Sequence, residues 1–412
     1  MPSGVGIQCN KLLRGLNRTG KYEIVQIAGS LLRQNPQPVI LDNIKLYPTA
    51  DGYGNPNLIR QVMSVERPDI VLAFSDPRFF IYLFMMDNEI RGNSKLVFYH
   101  TWDNEPFPKF NLPWYSACDH LVYLSKFSYE LAARNGLQCE CIPHGMDPSE
   151  FYPLPSEIVQ QERNHLFGVA GKPDTKFVIF WNNRNITRKR PADVVWAFNE
   201  FYKTHPDSLL LMNTSAIDSE GTDLPQIIRD LKIDAPVVFN FQKLETQKLN
   251  LFYNVADVVL LPSINEGFGL SVAESLCATT PVIATRTGGI TEQMSKVIHH
   301  EVEHSDNGPQ CEAYDEEKQF GILMDPAAKE LYGVPGMPYI FRDYVSYDQM
   351  LSALDIAYRR HKGGDWKRFG VEGREHIIEN YHIDSTVRKW DDLLAEVHST
   401  PSTYRKWQFS IH

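Results

Sequence analysis

Two carboxylates, Glu266 and Glu274, stand eight residues apart in the stretch Ser263-Ile-Asn-Glu-Gly-Phe-Gly-Leu-Ser-Val-Ala-Glu274, with Gly267-Phe268-Gly269 between them. The run before them, Asp257-Val-Val-Leu-Leu261, is the continuous apolar kind that a parallel sheet buries on both faces. Leu270 to Cys277 then has a helical pattern, and a second apolar strand, Pro281-Val-Ile-Ala284, follows at once. A glycine-bearing turn that opens a helix presents backbone N–H groups and the positive end of the helix dipole, which suits phosphate. Two acids beside a phosphate site need another role, and accepting hydrogen bonds from sugar or ribose hydroxyls fits their chemistry. The segment points to a nucleotide-sugar site.

A second constellation, Trp181-Asn-Asn-Arg-Asn-Ile-Thr-Arg-Lys-Arg190-Pro191, follows an apolar strand and precedes an amphipathic helix that Pro191 opens. Arg184, Arg188, Lys189 and Arg190 crowd the carboxyl end of that strand, where open α/β sheets bind ligands. An Arg and a Lys there suit a diphosphate, the guanidinium through two bonds and the ammonium as a point charge. Alone, the cluster reads as a solvated basic turn. Beside the Glu266–Glu274 segment in the same domain, phosphate binding becomes the better account.

Other candidates lie earlier in the chain. Pro2-Ser-Gly4-Val-Gly6-Ile-Gln forms a glycine loop where backbone could approach a ligand, although Cys9 replaces the third glycine of a dinucleotide fingerprint and a plain turn is nearly as good a reading. His100 closes the strand Leu96 to Tyr99 and leads into Thr101-Trp102-Asp103-Asn104-Glu105-Pro106, a polar aromatic loop suited to substrate contacts. Trp102, Asp103 and Glu105 are acceptor-side candidates, and His100 reads as a catalytic or donor contact ahead of a structural group. His144 reads as structural, Asp257 as a solvated strand start or cap, and Gly288-Gly289 as a ligand-facing turn with Thr287 and Thr291 as hydroxyl contacts.

These residues need a scaffold, and 412 residues are long for one core. Apolar strands alternate with helical patterns in two series of about six: Tyr22–Ile27, Pro38–Leu41, Ile70–Phe74, Leu96–Tyr99, Leu121–Leu124 and Glu140–Ile142, then Phe177–Trp181, Leu209–Met212, Val237–Phe241, Val258–Leu261, Val282–Ala284 and Gly321–Leu323. That alternation implies parallel sheets with right-handed crossovers, hence two doubly wound domains. Pro143 to Lys172 reads as the linker, Phe79–Met86 as a core helix, and the chain from Ser346 onward as helical. The expected domains are 1–150, 151–380 and a C-terminal segment 381–412 that crosses back to the first. The chain opens without the strand that usually precedes a glycine loop, which favours a truncated or internally started chain; no basic-then-apolar leader occurs.

Composition excludes several classes. The formal charge of -10 disfavours a nucleic-acid-coating role, since phosphate backbones require a basic surface. The six cysteines contain no C-x-x-C, so reduced thiols of a cytoplasmic protein are expected rather than zinc or disulfides. No apolar run approaches the roughly 18 residues of a spanning helix.

The Glu266-Gly-Phe-Gly-Leu…Glu274 signature, its trailing Pro281-Val-Ile-Ala…Gly288-Gly289, Ile142-Pro-His-Gly-Met-Asp147 at the domain junction and Gly321-Ile-Leu…Pro326 resemble the retaining glycosyltransferases of family 4 with the GT-B fold. The resemblance implies two Rossmann-like domains facing a central cleft, with a nucleotide-sugar donor held mainly by the second. It implies Glu274 on the ribose, Glu266 on the donor sugar, Arg184 and Lys189 on the diphosphate, the backbone of Gly267 to Leu270 against sugar and phosphate, and His100 reaching the sugar from the first domain. It further implies retention, with the leaving diphosphate taking the acceptor's proton, and neither cofactor nor metal. A hexose from a UDP- or GDP-sugar would pass to a hydroxyl of a glycan, a lipid-linked or another acceptor; a lipid-linked one would bring the protein to a membrane face. Arg190 departs from the family's small residue after the lysine, and His299-His300-Glu301…Glu312 looks like an insertion. A catalytically silent nucleotide-sugar binder and an epimerase are the competing readings.

Overall fold

The computed structural model describes residues 4–29, 37–303 and 311–401, without the side chains of 299–303 and 311–315. The chain divides into two compact units, one of Met1–Gly145, Leu331–Ile340 and Tyr381–His412, the other of Met146–Glu330 and Phe341–Asn380.

In the first unit a helix, Gly4–Arg18, precedes strands β1 (Val25–Ala28), β2 (Val39–Leu41) and β3 (Ile44–Pro48), which form a sheet of order β1-β3-β2. The all-parallel expectation fails here. β2 runs antiparallel to β3, with Leu41 opposite Ile44. Asp42 and Asn43 both adopt positive φ (51° and 62°), as a two-residue hairpin turn requires. Strands β4 (Ile70–Ser75), β5 (Lys95–His100), β6 (His120–Tyr123) and β7 (Glu140–Cys141) do form a parallel sheet in sequence order. Leu96, Val97 and Phe98 of β5 have no exposed surface, which is why that strand reads as unbroken apolar sequence. The Phe79–Met86 run is a short turn, Pro77–Phe79, and a four-residue helix, Ile81–Phe84, rather than one core helix. Phe80, Leu83, Phe84 and Met86 are buried, whereas Phe79, Ile81 and Met85 are exposed.

The second unit is built on a six-stranded sheet. Its strands are β8 (Phe177–Asn182), β9 (Ser208–Asn213), β10 (Val237–Asn240), β11 (Val258–Leu261) and β12 (Val282–Thr285), followed after the hairpin β13 (Ser295–Glu303) and β14 (Cys311–Gln319) by β15 (Gly321–Met324). All six are parallel, in the order β10-β9-β8-β11-β12-β15. The backbone of the expected insertion is the β13–β14 hairpin, but the side chains of His299, His300, Glu301 and Glu312 lie outside the described residues. A further pair, β16 (Ala328–Val334) and β17 (Met337–Tyr344), precedes the helices Tyr347–Gly363, Trp366–Tyr381 and Ile383–Ser399. Ser346 and Gln349 start the first of these with reciprocal side-chain caps. The second half of the expected linker is a helix, Ser156–Ala170, that follows Pro155 and stops at Gly171 with φ of 64°. The five cysteines with described side chains are free, Cys118 and Cys277 buried. Among the described residues no helix is long and apolar enough to cross a membrane.

His144 is buried in the first unit, 3.0 Å from the Tyr99 hydroxyl through Nδ1 and edge-on to Phe74. Burial, reinforced by Lys11, lowers its pKa from 6.5 to about 3. The unfolded chain takes up a proton below about pH 6.5 while the native ring withholds it, so stability present above that pH is lost as the pH falls toward 3. His144→Leu is therefore expected to flatten the decline in melting temperature between about pH 6.5 and 4; an unchanged slope would contradict the assignment.

Candidate functional site

The sheet of the second unit reverses direction at β8. The chain runs outward from β8 through β9 to β10, then returns to the other side of β8 with β11, β12 and β15. Two adjacent strands whose following connections leave in opposite directions open a crevice at their carboxyl ends, the usual ligand position in open α/β sheets. The two strands here are β8 and β11, paired through Ile179–Val258 and Phe180–Val259. The basic cluster leaves β8 and the Glu266 segment leaves β11, so the topology brings the two constellations together.

After β8 the chain is pinned by Asn185, whose buried side chain donates to the carbonyls of Ser215 (3.1 Å), Ala216 (3.3 Å) and Thr222 (2.8 Å). Thr187–Lys189 forms one tight turn, and Pro191 opens the helix Pro191–Tyr202. That turn aims Lys189 inward, and its buried ammonium donates to Glu266 Oε1. Arg188 Nη1 donates to the Asn265 carbonyl at 2.8 Å and lies 3.4 Å from Glu266 Oε2. Arg184 points elsewhere. It bonds Asp218 at 2.8 and 3.0 Å and Glu220 at 3.2 Å, with about half of its side chain (54%) exposed.

Glu266 is 6% exposed. Burial alone would raise its pKa, but Lys189 and Arg188 more than offset that, and the carboxyl lies below its ordinary value. It is therefore ionised at neutral pH. The loop around it is held by its neighbours. Ile264 N–H donates to the Arg188 carbonyl (2.9 Å), Asp343 N–H to the Ile264 carbonyl (3.0 Å), Asn265 Nδ2 to the Phe341 carbonyl (2.8 Å), and Gly289 N–H to the Glu266 carbonyl (3.0 Å). Gln293 Nε2 donates to the Phe268 carbonyl. The Gly288-Gly289 turn thus backs the Glu266 loop, and a Cβ on Gly289 would lie 2.3 Å from the Gly267 oxygen. Thr287, expected to face a ligand, instead donates to Asp343 at 2.8 Å.

The Gly267-Phe268-Gly269 turn ends with Gly269 at φ of 87°, a conformation that favours glycine, and no side chain caps the helix Leu270–Cys277 that starts there. Ser271 donates to the Asn182 carbonyl at 2.7 Å, which ties the first helical turn to the end of β8. One turn further, Glu274 accepts a 2.7 Å bond from the hydroxyl of the fully buried Tyr253. Burial and then the Glu274 carboxylate push that hydroxyl well above its ordinary pKa, so it remains a donor.

Gly4 and Gly6 lie in the opening turn of the Gly4–Arg18 helix, not in a loop before it. His100 is wholly buried among Phe98, Trp102, Tyr115 and Tyr123, with Nε2 at 2.6 Å from the Tyr115 hydroxyl. Burial lowers its pKa to about 4, so the ring is neutral and presents no surface to a sugar. Trp102 is buried, Asp103 partly buried and Glu105 exposed. Asp257 is no solvated cap: Arg163 grips both its oxygens at 3.0 to 3.1 Å and Val178 N–H donates to it. Arg188 shows in the sequence only as one member of the basic cluster, whereas Tyr253, Gln293 and Asp343 carry no local sequence signal. Among the described residues no three His, Cys, Asp or Glu side chains group as metal ligands.

Fold and site together define a GT-B architecture with a charged crevice at the switch point of its second sheet. The family model described as "Glycosyl transferases group 1" matches residues 162–317, the segment that holds Arg184, Lys189, Glu266 and Glu274. A D-inositol 3-phosphate glycosyltransferase of Corynebacterium kroppenstedtii is 32% identical over 151 residues, 35% of this chain and 32% of that protein. The match thus spans about a third of the length of the curated relatives. Among solved structures, sucrose-phosphate synthase from Thermosynechococcus elongatus superposes with a TM-score of 0.70 at 14% identity, over 96% of this chain and 94% of that one. Anabaena HepE in complex with UDP-glucose gives 0.66 at 14% identity, over 96% and 97%.

Arg190, the departure from the family pattern, has φ of 56°, a conformation that disfavours side chains by about 1 kcal/mol. Its guanidinium compensates by bonding Asp193 (2.6 Å) and the Val345 carbonyl (2.8 Å), which makes it a clamp rather than a phosphate ligand. Both Arg190→Gly and Arg190→Ala lose the clamp, but glycine relieves the backbone. Thermal melts should place the glycine variant above the alanine variant by about 1 kcal/mol; equal melts would contradict the strain.

Proposed function

We propose that the protein is a retaining glycosyltransferase that moves a hexose from a UDP- or GDP-sugar to a hydroxyl acceptor. The observation that carries this reading is the ionised, buried Glu266 held by Lys189 and Arg188 where β8 and β11 diverge, one turn ahead of a helix N-terminus with no side-chain cap. A buried carboxylate whose charge is already compensated can accept sugar hydroxyls without repelling the nearby diphosphate. Glu274, on the same helix, is assigned to the ribose.

In the proposed reaction the bond between the sugar's anomeric carbon and the diphosphate oxygen breaks. The acceptor oxygen bonds that carbon on the same face, and its proton passes to the departing phosphate oxygen. Lys189, Arg188 and the helix N-terminus stabilise the negative charge that develops on the leaving group. Arg184 would join them by exchanging Asp218 and Glu220 for phosphate. These groups supply the stabilisation without a metal. The cytoplasm, where nucleotide sugars are made, is the proposed compartment.

The test is a panel of UDP- and GDP-sugars read by thermal shift and by nucleotide release. A donor at 100 times its dissociation constant raises stability by about 2.7 kcal/mol, a readily visible shift. Glu266→Ala and Lys189→Ala are expected to remain folded and to lose at least about a hundredfold in transfer, the scale of removing one preorganised charge-stabilising group. Full transfer by both variants would overturn the proposal. Binding without nucleotide release by the wild type would identify a silent binder instead.

A further inference from the structure

The carboxyl ends of the strands on the β10 side carry one asparagine each, and the register aligns them: Asn182 of β8 stands opposite Asn213 of β9, which stands opposite Asn240 of β10. Their side chains are bonded in sequence. Asn240 Nδ2 donates to Asn213 Oδ1 at 2.7 Å, Asn213 Nδ2 to Asn182 Oδ1 at 2.7 Å, and Asn182 Nδ2 to the Tyr253 hydroxyl at 2.8 Å. Tyr253 then donates to Glu274 Oε2 at 2.7 Å. The far end is anchored by a second bond from Asn240 Nδ2 to the Gln242 carbonyl at 2.6 Å.

Every donor in this chain points the same way, toward the carboxylate. Hydrogen bonds aligned head to tail polarise one another, and a chain that ends on an anion is the arrangement in which that effect adds. An asparagine amide has two faces of opposite polarity, so each link also fixes the orientation of the next. A sheet edge needs no such ladder, because the backbone pairing between the strands is already complete in the parallel register. What the ladder does fix is the direction of one carboxylate.

We infer that Asn240, Asn213, Asn182 and Tyr253 are positioning residues that act through one another to hold the Glu274 carboxylate for a nucleotide ribose. The inference rests on the proposed nucleotide-sugar site and deepens it. Tyr253 touches Glu274, whereas Asn213 lies three links away from it and acts only through the chain.

The experiment measures the dissociation constants of UDP and GDP, and of their 2′,3′-dideoxy counterparts, for the full chain by calorimetry, with melting temperatures recorded in parallel. The wild type is expected to favour the ribonucleotide by about tenfold, the scale of a hydrogen bond to a charged group. Tyr253→Phe and Asn213→Ala should each lose most of that preference while binding the dideoxy nucleotide as the wild type does. Asn213→Ser serves as a milder second variant at the same link. Combining Tyr253→Phe with Asn213→Ala should change the preference no further, because one chain is being cut twice. Folded Asn213 variants with wild-type preference, or additive effects in the double variant, would overturn the relay. Equal binding of ribo and dideoxy forms by the wild type would overturn it while leaving the donor reading intact. No binding of either nucleotide by the wild type would overturn the proposed function and the relay together.

Discussion

The second unit is organised around a charge that has been removed from water. A carboxylate as enclosed as Glu266 cannot remain ionised without partners, because desolvation favours its neutral form. Lys189 and Arg188 supply those partners from the adjacent strand end. Two loops that are 77 residues apart in sequence are thereby committed to one geometry. The ion pair need not add to stability, since burying two charges costs about as much as their attraction returns. Its consequence is positional. It fixes the Lys189 ammonium and the Glu266 carboxylate at the mouth of a helix that carries Glu274 one turn later.

Much of the surrounding structure serves that arrangement. The reversal of strand order at β8 brings the two loops together, and Asn185 and Asn265 bond them to neighbouring backbone. Gly269 supplies the left-handed residue that turns a strand end into a helix start, and Gly289 lets the next turn approach the Gly267 carbonyl. Arg190 occupies a conformation that favours glycine, and it holds there through Asp193 and Val345. The first unit differs in kind. His100 and His144, its two buried histidines nearest to strand ends, are neutral groups enclosed by aromatic rings.

The parallel strands were legible in the sequence because helices cover both faces of a doubly wound sheet, which turns each strand into an uninterrupted apolar run. Val258–Leu261 and the helix Leu270–Cys277 follow from that pattern to the residue. The short strand Ile44–Pro48 has no separate signal in the sequence, because only the two-residue Asp42-Asn43 turn divides it from β2. Within the site, the Glu266–Glu274 spacing and the basic cluster were visible because their chemistry is local. The division of labour inside the cluster was not. Arg184 turns to Asp218, 34 residues away, while Arg188 turns to Glu266, and only the folded strand order decides which guanidinium meets which acid. The asparagines at the ends of β8, β9 and β10 are similarly mute in sequence, since their meaning lies in cross-strand register.

The ionisation state of Glu266 decides whether Lys189 and Arg188 hold the site as described. Its folded pKa is lowered, so the stability it contributes is present above the unfolded carboxyl pKa of about 4.3 and is lost as the pH falls through the lower, folded value. The direct measurement is the melting temperature of the wild type and of Glu266→Gln from pH 7 down to pH 3. The predicted result is a gap in favour of the wild type that is widest near neutral pH and closes below about pH 4. A gap that stays constant would mean an unshifted carboxyl, and one that widens in acid a raised pKa; either would contradict a carboxylate held ionised by Lys189 and Arg188.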